Sequence, residues 1–257
     1  MTGNRFLGLI CALLTVGAQG TEWTPHPEAQ VSVDPTAPFF KSIDELVQPN
    51  WVRFLDVRTS SSTNRERIAF LLGAASTDAH VAVEAQDGQA VKNAFREMAV
   101  LSRKLNAGRA LLQRCKSVDD LADATSWDGL RAEIQSTTAD VEAVFFSQQD
   151  PELAALRDAG AWLRQLEVAT AILAVSHPTT SELPKLDGRI ASGLLLRLKD
   201  LPEPMERSSF VHALRSALSS KALSEPPANG WDAGAIRSAL APVMAAAREG
   251  GSEAPKG

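Results

Sequence analysis

The sequence predicts an all-α protein: an up-down antiparallel helical bundle with a helical C-terminal extension. Three observations carry this. Alanine and leucine dominate, aromatics are only 5% and tyrosine is absent, a composition that favours helix over sheet. Four long segments repeat their apolar residues at helical spacing and are joined by short connections, which favours antiparallel neighbours. One of the four, Asp150 to Ser176, is apolar all round in its last third, VATAILAV, as expected of a helix enclosed by others. With 257 residues, 44% of them hydrophobic, the chain is long enough for one sizeable core.

The elements follow in order. Arg5 precedes the apolar run Phe6 to Val16, and the small residues of VGAQG come next. This is the layout of a secretory signal peptide over 1–20, cleaved after Ala18 or Gly20, with an uncleaved anchor as the alternative. The run is too short to span a bilayer, and no other stretch is long and apolar enough, so no membrane span is expected after cleavage. Cleavage leaves 25 basic against 31 acidic residues, a net charge of −6. It also leaves Cys115 as the one remaining cysteine, so no internal disulfide forms. The expected location is periplasmic or secreted.

Residues 21–40 hold Pro25, Pro27, Pro35 and Pro38 with little periodicity, and read as an extended linker. A single helical domain is expected over 41–249, with its bundle core at 65–176. Ser42 with Glu45 three residues on resembles a capped helix start. WVRFLDV, residues 51–57, suits a strand by residue type but has no evident partner strand, so a helix continuing from Pro49 is expected. From Arg65 to Gln86, Ile68, Leu71, Leu72, Ala75, Ala79, Ala82 and Val83 share one helical face. A single helix is predicted over 89–115, with Val91, Met98, Leu105 and Leu112 in one heptad column and Ala94, Leu101, Gly108 and Cys115 in the other. Ser117 to Ala124 reads as a short helix or turn. Ser126 caps a helix to about Ser147, with Trp127, Ile134 and Val141 beside Leu130, Thr137 and Val144.

The fourth helix opens with Asp150 as a capping side chain and Pro151 at its first position, and ends before His177-Pro178. Gly160 lets a neighbouring helix approach closely. Shorter helices are expected at Leu186 to Leu201, Met205 to Leu223 and Trp231 to Arg248, the last kinked or restarted at Pro242. Residues 250–257 read as a disordered tail.

Three stretches, AASTDAHVAVEAQDGQAVKNAFREM, SVDDLADATSWDGLRAEIQSTTADVEA and AGAWLRQLEVATA, carry a resemblance from about Arg65 to Ala174. In them the chain is similar to an uncharacterised family of exported, all-helical bacterial proteins. The resemblance implies the bundle and export, and carries over no functional residue.

Many activities lack their parts. The sequence holds no glycine-rich nucleotide loop, no Cys-x-x-Cys, no His-Glu-x-x-His, no Gly-x-Ser-x-Gly and no Glu-x-x-His. No cofactor and no metal site is implied. Nucleic acid is not expected, because the chain is acidic overall and its basic cluster, Lys92, Arg96, Arg103, Lys104, Arg109, Arg114 and Lys116, has no interleaved aromatics. That cluster reads as a solvated face opposite the heptad seam.

Two candidate sites remain. In Asp78-Ala-His80-Val-Ala-Val-Glu84, His80 and Glu84 lie one turn apart and could share a ligand or a proton. Asp78 lies on an apolar stripe, where a carboxylate needs a partner. The alternative is an interhelical ion pair at Asp78 with a solvated His80–Glu84 pair. The second candidate is Trp162, Arg164 and Glu167. Glu167 interrupts an apolar stripe and reads either as a ligand-facing acid or as the partner of a base on a facing helix, with Trp162 then in the core. Cys115 reads as a buried small apolar residue.

The functional expectation is an exported, non-catalytic protein with a binding or scaffolding role in the bacterial envelope, acting on a protein partner that the sequence does not name. The alternative is a small-ligand or metal-binding protein or enzyme with an interhelical site near Asp78 and Glu167.

Overall fold

The computed structural model describes residues 36–56, 61–176, 187–225 and 232–248. These form eleven α-helices and one 3-10 turn, with no strand among them, so the fold is all-α as the sequence predicts. The expected signal peptide and the tail at 250–257 lie outside the described residues.

α1 (Thr36–Val47) begins inside the segment expected to be an extended linker. Pro38 falls in its first turn, where a missing N–H breaks no helical bond, and Phe40 and Ile43 bury its inner face. Ser42 is not a cap: its hydroxyl donates to the Pro38 carbonyl at 3.0 Å, inside the helix. Pro49 then blocks continuation, and the expected helix at 51–57 is reduced to one 3-10 turn, Trp51–Phe54. Trp51 anchors that turn. Its ring lies edge-on to Phe40 with centroids 5.3 Å apart, and its indole N–H donates to Asp44 Oδ1 at 2.8 Å.

Five helices span the core: α2 (Arg65–Glu84), α3 (Gly88–Lys104), α4 (Gly108–Asp123), α5 (Trp127–Ser147) and α6 (Pro151–Ser176). The four corners between them share one geometry. Gln86, Asn106, Thr125 and Gln149 adopt left-handed φ values of 53°, 62°, 52° and 59°. The amide after each bonds a carbonyl five residues back: Asp87 to Ala82, Ala107 to Ser102, Ser126 to Leu121 and Asp150 to Phe145, at 2.8–3.0 Å. This closure satisfies carbonyls that a helix end leaves orphaned. No corner uses glycine at the left-handed position.

The expected single helix at 89–115 is therefore two helices, broken at Leu105–Ala107. Asn106 tolerates the left-handed conformation better than most residues. Gly108 follows it where a β-carbon would stand 2.9 Å from Arg103 Cα. The heptad columns do not persist across the break: Leu105 is buried but Leu112 is 55% exposed. The segment expected as a separate element from Ser117 completes α4.

One extra reversal changes the architecture. In a four-helix layout the first and last helices would run in opposite directions. Here α2 and α6 run parallel, since Arg65 pairs with Asp150 near their starts and Asp78 pairs with Arg164 farther along both. Their backbones touch. A β-carbon on Gly73 would lie 1.8 Å from the Arg157 carbonyl oxygen, and one on Gly160 would lie 1.9 Å from that of Phe70. The expectation for Gly160 holds, and Gly73 is its counterpart. Thr77 adds a hydrogen bond to the Ala161 carbonyl at 3.0 Å. Both helices are enclosed. α2 is buried on all sides from Glu66 to Val83 apart from Ser76, not on one face alone. In α6 the fuller burial lies before the apolar third, where Val175 is 52% exposed.

The C-terminal part forms α7 (Gly188–Arg197), α8 (Glu203–Glu206), α9 (Ser209–Leu218), α10 (Lys221–Ser224) and α11 (Ala233–Arg248). The helix expected from Met205 to Leu223 is interrupted where Ser208 and Ser220 become extended and start new helices. α7 stops at Arg197, short of the expected Leu201. α11 does not restart at Pro242 but continues through it. It lies on α6, α9 and α2, and Phe210 of α9 meets Phe70 of α2 edge-on at 5.2 Å.

Gly73→Ala is expected to destabilise the fold by about 3 kcal/mol or more, because the obstructing atoms are backbone. Thr125→Gly is expected to stabilise it by about 1 kcal/mol, because a β-branched residue leaves a strained left-handed position. Urea denaturation monitored by circular dichroism measures both.

Candidate functional site

The parallel register of α2 and α6 sets Asp78 opposite Arg164, with Nε 2.7 Å from Oδ1 and side chains 6% and 7% exposed. Arg164 Nη1 donates to Glu167 Oε2 at 2.7 Å, one turn along α6. Its Nη2 lies 3.4 Å from the Phe54 carbonyl and 3.9 Å from Asp56 Oδ2. Arg248, the last residue of α11, approaches Glu167 Oε1 at 3.3 Å and Asp56 Oδ2 at 3.7 Å. One guanidinium thus ties α2 and α6 to the segment after the 3-10 turn, and Glu167 ties that centre to α11. Burial disfavours the charge on Arg164, but Asp78 and Glu167 more than offset this and hold its pKa above the ordinary arginine value.

The residues singled out in the sequence do not form one site. Asp78 and Glu167 meet through Arg164. Glu84 turns to α5, where both carboxylate oxygens accept from Arg131 at 3.0 and 3.1 Å. His80 and Trp162 are buried at 3% and 2% exposure. A solvated His80–Glu84 pair is therefore not what forms: enclosure of α2 on all sides removes His80 from water. The base expected on a helix facing Glu167 is partly on its own helix, as Arg164, and partly on α11, as Arg248.

A second buried network was not singled out. Arg157 Nε donates to Asp158 Oδ1 at 3.0 Å, Nη1 to the Thr138 carbonyl at 2.7 Å and Nη2 to Glu142 Oε2 at 3.0 Å. Arg197 of α7 donates to Asp158 Oδ2 at 2.6 Å. The sequence signal was an Arg-Asp pair inside a largely apolar helix, but its further partners come from α5 and α7, beyond any local spacing rule.

Beside Asp78, a cleft of about 230 Å³ opens between α2 and α3. Ala75, Ala82, Ala90 and Ala94 contribute apolar wall, and Asp56, Asp78, Asp87 and Glu97 contribute carboxylates. Asp87 is occupied in part as the cap of α3, accepting from the Ala90 N–H at 2.9 Å. Glu167 does not line the cleft. Among the described residues no group of three or more His, Cys, Asp or Glu side chains is placed to hold a metal ion.

The basic cluster is less uniformly solvated than expected. Lys92 pairs with Asp123 at 2.6 Å, and Arg114 bridges α4 to Glu133 and Asp140 of α5 at 3.0 and 2.6 Å. Arg103, Lys104 and Arg109 are exposed. Cys115 is half-buried rather than buried. Burial and then Asp119 push its thiol above its usual pKa, with Arg96 opposing them. The chain matches no known family model, no curated protein and no solved structure.

Arg164→Met is expected to cost about 3–5 kcal/mol, since it strands Asp78 in a buried setting, and a second change, Asp78→Leu, is expected to recover much of the loss. A double-mutant cycle of denaturation midpoints measures this. Cys115 is expected to react with iodoacetamide at pH 7 more slowly than a free thiol, because less of it is thiolate.

Proposed function

We propose that this is an exported, non-catalytic protein of the bacterial envelope that acts through a binding or scaffolding surface. The observation that carries the reading is the fate of the acids. Asp78, Glu84 and Glu167 each engage an arginine that joins helices, so these carboxylates serve packing rather than proton transfer. A general acid or base needs a reacting atom within hydrogen-bond reach. The signal-like N-terminus and the resemblance between Arg65 and Ala174 support export.

A second reading, a small-ligand protein, is favoured by the cleft beside Asp78. Its alanine walls and carboxylate lining suit a small molecule with an apolar body and a cationic group.

Cell fractionation with N-terminal sequencing tests the first reading. A mature chain starting near Gln19 or Thr21 in the periplasm or medium is the expected result, and an intact Met1 in the cytoplasm overturns it. A thermal-shift panel of small amines tests the second. A rise in melting temperature that Ala94→Leu abolishes is the expected result, because the larger side chain fills the cleft; no shift with any amine sets that reading aside.

A further inference from the structure

We draw no further inference here: the strongest candidate, the cleft between α2 and α3 with Asp56, Asp78, Asp87 and Glu97 in its lining, belongs to the site already described, where Arg164 engages Asp78, Arg248 approaches Asp56 and the Ala90 N–H donates to Asp87.

Discussion

The backbone contact between α2 and α6 is the constraint on which the rest depends. Gly73 and Gly160 face each other's helices, and each fits only because it lacks a β-carbon. Such closeness does more than save volume. It sets the register that brings Asp78 to Arg164, and it leaves two helices in the middle with little surface facing water. Each must then satisfy its polar side chains inside the protein.

That requirement explains the two arginine centres. Arg157 and Arg164 lie two turns apart on α6; Glu142 of α5 and Asp78 of α2 accept from them, and their α6 partners Asp158 and Glu167 accept in turn from Arg197 of α7 and Arg248 of α11. A buried ion pair adds little net stability over a well-packed apolar pair, but breaking one is costly. The centres therefore act as locks on arrangement. A helix docked one turn out of place would leave a guanidinium without its oxygens.

The extent to which the sequence revealed this differs by feature. Helical periodicity located α2, α5 and α6 nearly to the residue, because each is long and has a clear start. The Asn106 corner escaped notice because a seven-residue repeat ran unbroken through it, from Val91 to Leu105 and on to Leu112. Periodicity reports which side chains are apolar, not whether the backbone between them turns. Ser208 and Ser220 escaped for a related reason: serine is neutral enough to sit in a helix or to begin one. At the candidate site, Asp78 and Glu167 were legible as polar residues on apolar stripes. Their common partner Arg164 was named beside Glu167, but its link to Asp78 spans a sequence separation of 86. No local pattern reports a pairing of that range.

The four glycine-free corners and the parallel central pair together imply an order of assembly. Each corner closes through bonds between residues five apart, so each helical hairpin forms with a small loss of chain entropy. The α2–α6 contact closes a loop more than eighty residues long, so its loop-closure cost is larger and it is expected to form after the intervening corners. The structural centre of the molecule is thus expected to form late in folding, absent from the early hairpins and present in the native state. Interactions with that timing govern how slowly a protein comes apart rather than how fast it forms. The paired glycines and the Asp78–Arg164 bridge then act chiefly on the lifetime of the folded chain.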